Sequence, residues 1–150
     1  MTSHFEFQPL DGSYCVTTKQ TGDISEAVVT AALLRAGKTV LAPFGDRSRY
    51  DIALDEDGKL VRIQVKTGWV SDGCLVFRTC SSTRQKGQRV ETRYSGQIEY
   101  FAVYHREADK IYLVPVDAVV GERGFLRLEP PRPKGKKKNL RYAEQFIFRA

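Results

Sequence analysis

The stretch Tyr50–Gly68, "YDIALDEDGKLVRIQVKTG", holds an aspartate, a tight-turn signal and then a polar and apolar alternation that ends in Gln64-Val65-Lys66. Asp57-Gly58 is a favoured two-residue hairpin turn, because both positions tolerate positive φ. Placing the turn there fixes the register: Glu56 faces Lys59, Leu54 faces Val61, Ile52 faces Ile63 and Asp51 faces Gln64. Directly opposed residues share a face of a sheet, so Ile52, Leu54, Val61, Ile63 and Val65 form an apolar side. Asp51, Arg62, Gln64 and Lys66 form the other. A slip of one residue would set Asp51 against Ile63 and mix charge with core. The pattern therefore predicts a hairpin whose open end gathers a carboxylate, an amide, an ammonium and the Val65 carbonyl.

Upstream, "TGDISEAVVTAALLRAGK" has Ile24, Ala27, Val28, Ala31 and Ala32 at helical spacing, with Asp23 placed to cap its start and Gly37 its end. "KTVLAPFG" reads as a short strand and "GDRSR" as a loop; Tyr50–Leu54 and Leu60–Lys66 are the hairpin strands. Downstream, Cys74–Phe77 is a further apolar run. Residues 79–95 are polar and basic and read as an exposed loop or short helix. "IEYFAVYH" and "KIYLVPV" are two more strands, with "YFAVY" as a buried strand centre, and "DAVVG" is one helical turn ending at Gly121. Trp69 reads as core or interface. The tail opens proline-rich and carries six basic residues from Arg132 to Arg141. One helix followed by strands with few crossovers predicts a single α/β domain with a mixed central sheet flanked by helices. Within it, residues 1–20 are expected to form an N-terminal arm, 21–120 the core and 121–150 a basic extension.

A chain of 150 residues, 41% hydrophobic, is long enough for one sizeable core. Its 24 Lys and Arg against 18 Asp and Glu give a formal charge of +6, which favours a polyanionic partner. Cys15, Cys74 and Cys80 have neither CxxC spacing nor a nearby pair of histidines, so neither a disulfide framework nor a zinc site is expected, and a cytoplasmic setting fits. No apolar run approaches the ~18 residues of a membrane span, and "MTSHFEFQPLDGSYC" lacks the layout of a signal peptide.

Oxygen donors beside a lysine suit Mg2+-assisted phosphodiester cleavage. A hard cation takes carboxylate, amide and carbonyl oxygens together with waters, and it polarises a phosphate and acidifies a bound water. A lysine can orient that water or offset developing charge. Each residue also has a plainer reading. Asp23-x-x-Glu26 has capping-box spacing, Asp51 can close the "GDRSRYD" loop, and Gln64 and Lys66 can be the solvated face of an edge strand.

Taken together, Glu26 on the helix, Asp51, and Gln64-Val65-Lys66 resemble the PD-(D/E)XK nuclease superfamily, whose order is helix Glu, strand Asp, then (Asp/Glu)-X-Lys on the paired strand. Within it, "ISEAVVTAALLRAGKTVLAPFGDRSRYDIALDEDGKLVRIQVK" is similar to the homing endonucleases of cyanobacterial-type group I introns, which carry Gln in the Glu position and "RYD" before the hairpin. The resemblance runs from Gly22 to Val116 and includes "EYFAVYHREADKIYLVPVD". Tyr50 stands where the motif names Pro, and Gln64 stands where it names a carboxylate, which removes one negative charge from the metal site.

That resemblance implies a restriction-endonuclease-like fold and a sequence-specific, Mg2+-dependent endonuclease acting on duplex DNA. Mn2+ would substitute, no small-molecule cofactor or membrane is involved, and a homodimer or homotetramer is the working unit. It implies Glu26, Asp51, Gln64 and Lys66 as the catalytic set. Asp51, Gln64 and the Val65 carbonyl would hold the metal, Lys66 would act on the attacking water, and Glu26 would approach from the helix. Arg47 and Arg49 are candidates to line the phosphate path beside Tyr50. Arg78, Ser81, Ser82, Arg84, Lys86 and Arg89 are candidates for a duplex-reading surface, since arginine binds guanine edges and serine positions on phosphate. Lys136 and Lys137, within Lys134–Lys138, either clamp the DNA backbone or belong to a solubilising tail. Two rival functions remain: a Holliday-junction or repair nuclease of the same superfamily, and a non-catalytic nucleic-acid-binding protein that lost turnover through Gln64.

Overall fold

The computed structural model describes residues 16–130 and 141–150; most of the N-terminal arm, and Lys134–Lys138 with Lys136 and Lys137, lie outside them. Helix α1 spans Thr18–Arg35 and starts earlier than the sequence spacing predicts. Thr17 caps it: its hydroxyl accepts from the Gln20 N–H at 3.3 Å, and the Gln20 side chain accepts from the Thr17 N–H at 2.8 Å. Thr17-x-x-Gln20 is thus the capping box, and it displaces the expected one at Asp23. Asp23 lies inside the helix and pairs with Lys19 at 3.0 Å, so Glu26 has no capping duty. The helix closes where expected. Gly37 takes φ 75°, and the Lys38 and Gly37 N–H groups donate to the carbonyls of Leu33 and Leu34.

Strand β1 (Thr39–Leu41) leads through the "GDRSR" loop to β2 (Ile52–Glu56) and β3 (Lys59–Ser71). Asp57 and Gly58 turn the hairpin at φ 53° and 84°. The pairing is Glu56 with Lys59, Leu54 with Val61 and Ile52 with Ile63, the register read from the sequence. β4 (Cys74–Arg78), β5 (Cys80–Gln85), β6 (Gln88–Arg93), β7 (Tyr100–His105), β8 (Lys110–Pro115) and β9 (Arg123–Arg127) complete the described strands. β3 is the hub of a seven-stranded mixed sheet: antiparallel to β2 and β4, parallel to β7. β8 extends the sheet beyond β7, and β9 extends it beyond β4.

Two cores sandwich this sheet. α1 lays Val29 and Leu33 on Ile52, Leu54, Ile63, Val65, Ala102 and Tyr104. The apolar face of the hairpin is therefore the face that receives the helix. A buried hydroxyl pair, Ser25 with Thr67 at 2.6 Å, pins α1 to β3. On the opposite face Leu75, Phe77, Tyr94, Ile98, Phe101, Val103, Val114 and Leu126 pack together.

The structure departs from the sequence reading elsewhere too. Residues 79–95 form neither loop nor helix: β5 and β6 pair into a separate two-stranded ribbon turned at Lys86-Gly87, whose φ angles are 49° and 79°. β9 carries no strand signal in the sequence because its buried positions are only Gly124 and Leu126. A Cβ on Gly124 would lie 2.3 Å from the Phe77 ring, so glycine there is a packing requirement. In place of a helical turn through "DAVVG", a 3-10 turn at Val116–Ala118 takes in only its first two residues and stops short of Gly121. Trp69 is 39% exposed, at the edge of the core and outside it. "YFAVY" is buried as expected from Phe101 to Tyr104. Among the described residues, no helix is long and apolar enough to cross a membrane.

Candidate active site

The open end of the hairpin lies where β2 has run out but β3 continues. The Asp51 N–H donates to the Ile63 carbonyl at 3.0 Å, the last backbone bond on that edge. From there the Asp51 side chain takes over, and its Oδ2 accepts from the Val65 N–H at 2.9 Å and from Gln64 Nε2 at 2.5 Å. Gln64 Nε2 also lies 3.4 Å from the Val65 carbonyl oxygen. The amide NH2 therefore sits between a carboxylate and a carbonyl, a position whose surroundings favour positive charge. Lys66, the next outward residue on the same face, places Nζ 3.2 Å from the Tyr94 hydroxyl.

Burial pushes the Asp51 carboxyl above its ordinary value, and the Val65 N–H, the Lys66 ammonium and the Gln64 amide only partly oppose this. Glu26 is also pushed up, first by partial desolvation and then by the negative charge of Asp51. Glu26 thus reaches the same electrostatic neighbourhood from the exposed side of α1, although no hydrogen bond joins it to Asp51 among the described residues.

Among the described residues, no group of three or more His, Cys, Asp and Glu side chains is arranged to hold a metal. The groups expected from sequence to hold a metal come together as one carboxylate (Asp51), one amide (Gln64, its NH2 turned inward) and one backbone carbonyl (Val65). Oxygen donors of low total charge suit a hard cation that keeps several waters. The amide is the adjustable part: a half-turn about its last torsion exchanges Nε2 for Oε1 with little change in shape. With the amide turned that way, the residues present would fit a hard divalent cation.

The expected DNA contacts separate into groups. Arg47 and Arg78 are exposed. Arg49 points inward, where its guanidinium donates to Gln97 Oε1 at 2.5 Å, to Ser81 Oγ at 2.6 Å, and to the Thr92 and Arg93 carbonyls at 3.3 and 3.1 Å. Cross-strand pairing puts Ser82 opposite Glu91 and Arg84 opposite Arg89 on one face of the ribbon, with Arg93 two positions further along that face. Ser81 lies on the other face, against Arg49. Lys86 is at the tip. Arg89 pairs with Glu91 at 2.8 Å.

Arg93 and Tyr94 are absent from the residues expected from sequence to form the site. A strict alternation counted from Lys86-Gly87 places Arg93 opposite Cys80 and on the basic face, a signal available in the sequence. Tyr94 has none: its position depends on contacts with residues far away in the chain.

A helix laid on a mixed sheet, with a central hairpin whose strand pairs in parallel with a later one, is the restriction-endonuclease-like α/β class. Residues 16–149 match the family described as PD-(D/E)XK endonuclease, and the chain belongs to that family. The solved structure of a bacterial homing endonuclease, I-Ssp6803I, is similar to it at TM-score 0.71 and 28% identity, over 87% of this chain and 88% of that one. No curated protein matches the chain in sequence.

Proposed function

We propose that this nuclease is a Mg2+-dependent endonuclease that hydrolyses phosphodiesters in duplex DNA at a specific sequence, as homing enzymes do. One observation carries the reading: Asp51, Gln64, the Val65 carbonyl and Lys66 converge at the open end of one hairpin, beside the root of a projecting basic ribbon. Asp51, the Val65 carbonyl and the turned Gln64 amide would hold the cation. When bound, Mg2+ supplies charge that polarises the phosphate and acidifies a water. Lys66 brings a positive charge to the phosphate and a donor to orient the attacking water. Glu26 adds a carboxyl from the helix side, pushed above its ordinary value by partial desolvation and by the charge of Asp51.

The ribbon supports the DNA half of the reading. Each of its strands has 6 residues, about 20 Å at ~3.3 Å per residue. A two-stranded ribbon of that size enters a major groove. One chain carries one such site, so cutting both strands requires two chains, and a homodimer or homotetramer is the working unit.

The test is cleavage of a duplex library with random sequence by wild-type protein and by Asp51→Ala and Lys66→Ala. Both variants are expected to lose metal-dependent cleavage while keeping duplex affinity within a few-fold, and the wild type is expected to return one long, near-palindromic consensus. Wild-type rates in either variant would remove the site. Cutting of four-way junctions with no consensus would replace homing by junction resolution, and binding without any cleavage would leave a non-catalytic binder.

A further inference from the structure

Tyr94 follows directly on β6 and is only 4% exposed, yet it is the residue that meets the lysine. Its hydroxyl is 3.2 Å from Lys66 Nζ, and that ammonium also lies 4.8 Å from the centre of the ring. The Arg49 guanidinium also sits against the ring, 4.2 Å from its centre. Phe101 closes edge-on at 5.6 Å. Arg49 is itself immobilised by acceptors on both ribbon strands and by Gln97.

A lysine side chain has about 2 kcal/mol of rotamer entropy to lose, so a free Lys66 would spend little time in one place. A charge-assisted hydrogen bond and a ring contact together restrain it. Arg49 belongs to the loop that ends in Asp51, and Tyr94 directly follows the strand that ends in Arg93. The loop bearing the carboxylate, the ribbon root and the lysine are therefore tied at one point.

We infer that Tyr94 is a positioning residue for Lys66, and that Arg49 holds Tyr94 in place instead of binding phosphate. The inference rests on the proposed role of Lys66. Arg49, next to Asp51 in the chain, ties the ribbon root to this loop, and Tyr94, adjacent to Arg93, ties it to the amine.

Tyr94→Phe removes only the hydroxyl and keeps the ring against Arg49 and Phe101. Single-turnover cleavage at saturating duplex is expected to fall about tenfold, the scale of one lost hydrogen bond to a charged group. The duplex concentration for half-saturation is expected to stay within about twofold, and the thermal midpoint close to wild type. In protein labelled with 15N-lysine, the Lys66 ammonium signal, identified by its absence in Lys66→Arg, is expected to exchange faster with water. Arg49→Lys, which keeps the charge but loses the fork, is the second variant and should lower the rate in the same way. An unchanged rate in Tyr94→Phe, a loss confined to duplex affinity, or an unaltered Lys66 signal would overturn the inference. If Lys66→Ala cleaves at the wild-type rate, the catalytic reading fails, while the ammonium signal still decides whether Tyr94 holds the amine.

Discussion

If the ribbon is the DNA-reading element, its charges set how binding responds to salt, and their arrangement gives a number. Arg84, Lys86 and Arg93 are offered by the basic face and tip, while Arg89 is already held by Glu91 at 2.8 Å. Each phosphate neutralised by a protein cation contributes about −0.9 to the slope of log affinity against log salt. Three contacts give about −2.7 per ribbon, and over a fourfold change in salt that is a loss of about 40-fold in affinity.

The perturbation is the triple variant Arg84→Ala, Lys86→Ala, Arg93→Ala, compared with Glu91→Gln. Anisotropy of a labelled duplex, measured without divalent metal so that the DNA stays intact, gives the slopes. The triple variant should be shallower than wild type by about 2.7 for each ribbon engaged. Glu91→Gln should be steeper by about 0.9, because it releases Arg89 to a phosphate. A base-reading arginine would also relax preference at particular base pairs, at about 1–3 kcal/mol each. Equal slopes for all three proteins would show that DNA does not lie on this ribbon.

Gln64→Glu adds a carboxylate to the oxygen donors, so the Mg2+ concentration for half-maximal cleavage is expected to fall by about tenfold. Unchanged metal dependence in both Gln64→Glu and Gln64→Ala would show that this position never meets the ion. Acid stability has a different origin. Glu99 accepts from Arg62 Nη2 at 2.7 Å and from Arg62 Nε at 3.2 Å, and this pairing lowers its carboxyl below the ordinary value. A depressed carboxyl contributes stability that is fully present above the unfolded value of ~4.3 and is lost as pH falls through the folded one. The thermal midpoints of wild type and Glu99→Gln should therefore differ at pH 7 and converge below about pH 4; a constant gap across that range would contradict the assignment.

The hairpin was legible because one turn fixes every partner: once Asp57-Gly58 is placed, alternation sends Ile52, Leu54, Ile63 and Val65 to one side and the polar set to the other. The ribbon has the same kind of turn in Lys86-Gly87 but no alternation to confirm it. Ser81, Ser82, Thr83 and Arg84 are polar in sequence because both faces of a free ribbon meet water, and an apolar stripe is what periodicity detects. The helix start went wrong for a different reason. Two capping boxes, Thr17-x-x-Gln20 and Asp23-x-x-Glu26, compete in the sequence, and the earlier one adds the turn that carries Thr21, whose carbonyl accepts from Ser25. Tyr94 was out of reach because Lys66 and Arg49 are distant from it in sequence and meet it only through the sheet.

The arrangement around Gln64 shows what an amide does at a position where the family motif has a carboxylate. At 2.5 Å from Asp51 Oδ2, a second carboxylate would face the first with like charge and would need a shared proton or a cation between them. The amide instead donates, and with the Val65 N–H it satisfies Asp51 from two directions. This end of the hairpin can therefore fold with its hydrogen bonds closed before any ion arrives. The same exchange removes a charge that would have attracted the ion. Within the proposed site the carboxylates left are Asp51 and Glu26, and partial desolvation together with the charge of Asp51 pushes the Glu26 carboxyl above its ordinary value. A divalent cation held there would oppose that shift, since positive charge nearby favours the ionised form of both carboxyls. On the proposed reading, an amide at Gln64 would leave more of the charge for a cation to Asp51 and to Glu26 on the helix, so Glu26 should matter more to cation affinity here than it would beside a carboxylate at that position.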